Sequence, residues 1–253
     1  MSSVTYRPVR NLGHHVRMRI MFVGDSMTIG STGDFTWRYR MWRHLNAAFD
    51  GPYRIVGPRH TLHEPTEGTD TSSAYADPGF PAEARRHLAG WGEGWLHMAP
   101  LIGDAVRRHE ADTLLVSLGL IDLGFYTNAE QTAENVRRFV AAAREAAPHL
   151  RAVLMPVIPN VRAAADAAFG AECARFNELL AKAVADLSTP ASPLLLASEP
   201  AGWETGCATY DGTHPSKWGE HLLAGAFADA MHQAWGVGGA YSAGPPAGAV
   251  PSP

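Results

Sequence analysis

The sequence predicts an α/β fold in which a parallel sheet is covered by helices on both faces. Three observations carry this. Five short apolar runs alternate along the chain with longer segments of helical periodicity. The runs are apolar at nearly every position rather than at alternate ones, as in strands buried on both sides. And 253 residues, 46% hydrophobic and 18% charged, suffice for one large α/β domain or two small ones.

Taken in order, residues 1–17 read as an N-terminal extension with no apolar h-region and no small-residue cleavage site. No secretory signal is read there, and a cytoplasmic protein is expected, although a secreted form trimmed of its signal would read the same. Ile20–Val23 is the first strand. Phe35–Phe49 is an amphipathic helix, with Trp37, Met41, Leu45 and Ala48 at helical spacing. Tyr53–Pro58 is a short strand closed by Gly-Pro. Arg59–Arg86 is polar and rich in Thr, Ser, Pro and Gly, long enough to be a lid or binding loop. Its acidic residues Glu64, Glu67, Asp70 and Asp77 read as a solvated face.

Trp95–His109 is a helix and Asp112–Gly119 the third strand. The helix Ala129–Ala147 is ended by Pro148, and Arg151–Pro159 is the fourth strand. Arg162–Leu187 is helical with a break expected at Gly170. Pro193–Ser198 is the fifth strand and Pro215–Trp235 the last helix. The domain thus spans 18–235, and 236–253 is a Gly, Pro, Ala and Ser tail expected to be disordered.

Several function classes drop out. A net charge of −4 without a basic cluster speaks against nucleic acid as a partner. No run of 18 apolar residues exists to span a membrane. Cys173 and Cys207 read as two free thiols. "GVGG" (Gly236–Gly239) follows a helix rather than a strand, so no phosphate loop and no cofactor is expected. His60, His63 and Glu64 have no further ligands at suitable spacing, and His14-His15 stands alone, so no metal is expected.

The remaining chemistry gathers at one edge. In parallel sheets ligands bind at the carboxyl ends of the strands. "VGDSMTIG" places Asp25 and Ser26 directly after the first strand, Asp122 follows the third, Asn160 the fourth, and Asp211 and His214 the fifth. In "YDGTHPS" an Asp and a His three apart can set a carboxylate against Nδ1, leaving Nε2 as a base. A serine within reach of Nε2 becomes a usable nucleophile. Each piece also has a bland reading: Ser26 as a helix cap, Asp211-Gly212 as a turn, His214-Pro215 as a helix start. Acyl transfer needs N–H donors for the developing oxyanion as well. The N–H of Ser26 is one. "GWGEGW" (Gly90–Trp95) offers Gly94 as the second, with Gly92 as fallback.

These blocks resemble the SGNH (GDSL-type) hydrolases. "VGDSMTIG", "GWGEGW", "LLVSLGLIDL" and "DGTHPSKWG" occur in that family's order across residues 20–219. The first and last are specific and the second is weak. The resemblance implies a three-layer α/β/α flavodoxin-like sandwich with a five-stranded parallel sheet, and an esterase mechanism through an acyl-serine. It implies Ser26 as nucleophile and first oxyanion donor, Gly94 as second donor, His214 as base and Asp211 as its orienter.

One position departs. The family's third block, Gly-x-Asn-Asp, supplies an asparagine donor where this chain has Ile121 before Asp122. Three alternatives follow: a two-donor hole, a replacement such as Asn128 or Asn160, or a different reaction. Asp122 reads more as a tie between loops than as chemistry. Trp37 and Met41 read as packing, whereas Trp91 and Trp95 flank the glycines as pocket candidates. Asp25, Ile121, Asp122 and Asn160 complete the expected pocket. The leading expectation is a serine-dependent ester hydrolase acting on a small-molecule ester with a small or medium acyl group. The rivals are an acyltransferase using the same site and, because of Ile121, a non-catalytic binding protein on this fold.

Overall fold

The computed structural model describes residues 18–242; the extension 1–17 with its two histidines, and residues 243–253 of the tail, lie outside the described residues. Near-continuous apolar runs become strands, the three central ones buried on both faces and the two edge ones half-exposed. β1 (Met18–Gly24), β2 (Tyr53–Ile55), β6 (Thr113–Ser117), β7 (Arg151–Met155) and β8 (Leu194–Leu196) form a parallel sheet in the order β2-β1-β6-β7-β8. The two-residue β5 (Leu88–Ala89) pairs with Val23 and Gly24, beyond the Ile20–Ile55 pair where β2 leaves off.

The alternation of side chains along the strands decides which helices cover which face. Met21 and Val23 of β1, Leu114 and Val116 of β6 and Leu154 of β7 pack with α3 (Trp95–His109), α4 (Ala129–Ala146) and α6 (Ala167–Leu187). Ile20, Phe22, Leu115 and Val153 face the other way, toward α2 (Trp37–Ala48) and α8 (Lys217–Trp235). There Trp37 is fully buried and stacked on Phe227 at 4.6 Å. Aromatic pairs of this kind add about 0.5–1.5 kcal/mol beyond their buried area. The result is the expected three-layer α/β/α sandwich.

Three expectations are corrected. The polar 59–86 segment holds an antiparallel hairpin, β3 (Leu62–Glu64) with β4 (Thr69–Ser72), and a 3₁₀ turn at Ala82–Arg85. The helical break after α5 (Val161–Ala165) falls at Asp166, not Gly170. The Asp166 carboxylate caps α6 by accepting from the N–H groups of Ala168 and Phe169. Gly170 instead allows close packing, since a Cβ there would lie 2.7 Å from the Ala163 carbonyl. The packed body also runs past 235: Gly236 closes α8 at φ 64°, Val237 is buried, and the Tyr241 hydroxyl bonds His221 Nδ1 at 2.9 Å.

Register sets the working edge. Gly24 pairs with Ser117, which pairs with Met155, so β1, β6 and β7 end level. The segments that follow them share one rim. At Gly24 the chain turns so tightly that a Cβ would sit 2.0 Å from Thr28 Oγ1, which requires glycine there.

Candidate active site

The turn after β1 projects Ser26. Asp25 caps the one-turn helix α1 (Ser26–Ile29), its Oδ1 accepting from the Met27 N–H at 3.0 Å. Ser26 is the first residue of that helix, so its N–H has no intrahelical acceptor. At the other end of the chain, the turn between the short α7 (Thr205–Ala208) and α8 folds around one carboxylate. Asp211 Oδ1 accepts from the N–H groups of Thr213 and His214 at 2.9 and 2.7 Å. Gly212 supplies the bend at φ 88°.

Those two pieces meet. The His214 Nδ1–H donates to Asp211 Oδ2 at 2.6 Å, and Ser26 Oγ lies 2.9 Å from Nε2. A carboxylate only accepts, so Nδ1 carries the proton and Nε2 of the neutral ring accepts from the serine hydroxyl. Burial pushes the Asp211 carboxyl up, but hydrogen bonds from the His214 ring and from the His214 and Thr213 N–H groups more than offset it. Asp211 is therefore held below the usual carboxylate range, charged and fixed on the ring.

A cleft of about 430 Å³ opens over Ser26 and His214. One wall is apolar: Leu120, Ile121, Phe125, Tyr126 and Phe169. Another carries Trp91 and Gly92; Asn160, Arg162 and Thr213 complete the lining. A separate groove of about 500 Å³ between β8 and α8 shares none of these residues. Neither Ser26 nor His214 lines it.

The glycine block divides unexpectedly. Gly94, the expected donor, caps α3 and its N–H donates to His97 Nδ1 at 3.1 Å. It is also packed against the Asp122 carboxylate, which a Cβ would meet at 2.2 Å. Gly92 lines the cleft at φ 72°, and its N–H has no partner among the described residues. The geometry thus favours the fallback over Gly94.

The other candidates separate as well. Asp122 is fully buried and accepts from the N–H groups of Trp95 and Leu96 at 2.8 and 3.0 Å, tying the β6 loop to the start of α3. Trp95 does not line the cleft; it is buried edge-on against Phe139 at 5.1 Å. Ile121 lines the cleft and offers no donor. Asn128 is exposed and caps α4 through the Gln131 N–H. Asn160 lines the cleft and is buried. Its Oδ1 accepts from the Ala163 N–H at 3.0 Å and its Nδ2 donates to the Ile158 carbonyl at 3.2 Å. One amide hydrogen remains. Asp25 is buried with Oδ2 unpartnered among the described residues. Burial pushes its carboxyl up to about 7 against the opposing pull of the Met27 N–H.

Sequence reasoning missed a second layer. Trp91 stacks on His214 with ring centroids 4.7 Å apart and on His63 at 4.1 Å. Asp70, read as solvated, instead accepts from His63 Nδ1–H at 2.8 Å and from the Trp91 N–H at 3.2 Å. Tyr210 also lies nearly parallel to the His214 ring, at 5.7 Å. Only the polar hairpin brings His63 and Asp70 here, and no local motif announces it.

Comparison with known proteins follows the same lines. The family model for the GDSL-like Lipase/Acylhydrolase family matches residues 22–222. Among solved structures, a mutant acetyl esterase with acetate ion has 23% identity and a TM-score of 0.68, covering 85% of this chain and 97% of that one. A carbohydrate esterase family 3 protein from Talaromyces cellulolyticus has 24% identity, the same coverages and a TM-score of 0.68. A catalytic mutant of the acetylxylan esterase Axe2 from Geobacillus stearothermophilus has 12% identity, coverages of 86% and 96%, and a TM-score of 0.61. No match was found among curated proteins. These structures share the fold, no helix among the described residues is long and apolar enough to cross a membrane, and the family model spans the serine turn through the Asp-His turn: the chain belongs to the GDSL-like lipase/acylhydrolase family.

Proposed function

We propose that this carboxylic ester hydrolase of the GDSL-like family works through an acyl-enzyme on Ser26, on esters with a small or medium acyl group. The observation that carries the reading is the unbroken path Ser26 Oγ, His214 Nε2, His214 Nδ1, Asp211 Oδ2, with steps of 2.9 and 2.6 Å across the two hydrogen bonds.

In this mechanism Ser26 Oγ attacks the ester carbonyl while His214 Nε2 takes its proton. Asp211 holds the resulting imidazolium in place. The tetrahedral oxyanion is met by the N–H groups of Ser26 and Gly92. The spare amide hydrogen of Asn160 replaces the donor that Ile121 lacks. His214 then protonates the departing alcohol. Water attacks the acyl-serine, its proton passing to His214 and then back to Ser26 as the acid is released. Acetyl esters are the first substrates to test, because the structures this chain resembles include an acetyl esterase and an acetylxylan esterase.

Release of 4-nitrophenol from 4-nitrophenyl acetate by wild type beside Ser26→Ala tests this. Loss of nearly all turnover in the variant is expected, and equal rates contradict the reading. A second reading, transfer of the acyl group to an alcohol or amine, uses the same acyl-serine. The 59–86 segment motivates it: packed on Trp91 through His63 and Asp70, it covers part of the site, and a covering segment can keep water from the acyl-serine. Hydroxylamine or a small alcohol added to the assay separates the two by the appearance of an acyl product.

A further inference from the structure

The cleft carries one fixed positive charge that no carboxylate among the described residues neutralises. Arg162, in α5, lines the same cleft as Ser26, and that lining contains no carboxylate. Its guanidinium lies over the Phe169 ring at 4.1 Å and near Phe125 at 5.8 Å, and its Nη1–H donates to the Gly124 carbonyl at 3.0 Å. These contacts pin the planar group but use only one of its five N–H donors. Nearby acids are engaged elsewhere: Asp166 caps α6, Asp211 holds His214, and Asp122 ties the start of α3. Among the described residues Arg162 has no ion-pair partner, whereas Arg59, Arg137 and Arg175 each bond a carboxylate.

A stacked guanidinium with free donors presents a planar, bidentate fork matched to a carboxylate. Set among Leu120, Ile121 and Phe169, it is the sort of polar group that orients a ligand in an otherwise apolar site. We propose that Arg162 selects ester substrates bearing a carboxylate, held on the Phe125–Phe169 side of the cleft while Ser26 attacks the ester carbonyl. The inference rests on the acyl-serine reading above and adds the charge of the substrate to it.

Two matched pairs of esters test it. Mono(4-nitrophenyl) adipate against 4-nitrophenyl hexanoate places the charge on the acyl side. 4-Acetoxybenzoate against 4-acetoxybenzamide places it on the alcohol side. The readout is the ratio of kcat/KM, charged over neutral, in wild type and in Arg162→Gln. The expected result is a fall of tenfold or more in that ratio for at least one pair, with the pair identifying which side of the ester carries the charge. In the unaltered protein the same ratio is expected to fall as sodium chloride is raised. A ratio unchanged by the substitution in both pairs, including equal losses on charged and neutral esters, overturns the proposal, as does a ratio indifferent to salt in both pairs. Ser26→Ala on 4-nitrophenyl acetate runs alongside. If that variant keeps its activity, the acyl-serine reading fails. If it is inactive while the ratios stay fixed, only the carboxylate selection fails.

Discussion

The imidazole of His214 stacks on the indole of Trp91, with ring centroids 4.7 Å apart and planes inclined by 18°. In the proposed mechanism this contact sets a π face beside the ring that becomes an imidazolium when it takes the serine proton. Trp91 is fixed in turn by the His63 ring on its face and by Asp70 on its backbone N–H. A cation over an indole face gains about 0.5–2 kcal/mol.

Trp91→Leu is therefore expected to lower kcat by roughly twofold to thirtyfold, while Trp91→Phe keeps most of it. Steady-state kinetics with 4-nitrophenyl acetate check this. An unchanged kcat in the leucine variant would mean the ring is only a wall of the cleft.

Asn160 carries the second expectation. It caps α5 through Oδ1, so Asn160→Asp retains the cap and removes the amide donor. A fall in kcat on the order of 10²–10³ is expected, the usual effect of losing one oxyanion donor. Adding Ile121→Asn to that variant is expected to recover part of the loss by restoring a donor on the facing segment. Melting temperature separates a folding defect from a catalytic one.

Asp25 gives a pH dependence. An aspartate carboxyl titrates near ~3.9 in an unfolded chain, and burial raises this one to about 7 in the folded protein. The folded state then binds the proton more tightly. The stabilisation from this group is complete below pH ~4 and is lost as the pH rises through about 7. Relative to wild type, the melting temperature of Asp25→Asn is expected to climb between pH ~4 and ~8. Thermal melts of the two proteins across that range measure it, and a constant difference would contradict it.

Much of this was legible in the chain because burial on both faces leaves a strong mark. The runs around Ile20, Leu115 and Val153 read directly as strands, and the helix Trp95–His109 is marked to the residue. The serine and the Asp-His pair were legible because each sits in a short, chemically odd turn. Less visible were features decided by packing between distant segments. Gly92 and Gly94 look alike until His97 takes the N–H of the latter. Trp91 and Trp95 stand four residues apart, yet one meets His214 and the other meets Phe139. The β4 strand reads Thr-Asp-Thr-Ser, with no apolar alternation to betray it, so the sequence alone presents Asp70 as a solvated side chain. Nothing in the sequence singles out Arg162, because an exposed arginine on a helix is common; its meaning lies in the cleft it lines.

The central claim is that Ser26 is an activated nucleophile, and labelling with a fluorophosphonate followed by peptide mass spectrometry tests it most directly. One covalent adduct is expected, on the peptide carrying Ser26, and it should disappear in His214→Ala. A wild-type protein left unlabelled, or labelled at another residue while Ser26 stays free, would contradict it.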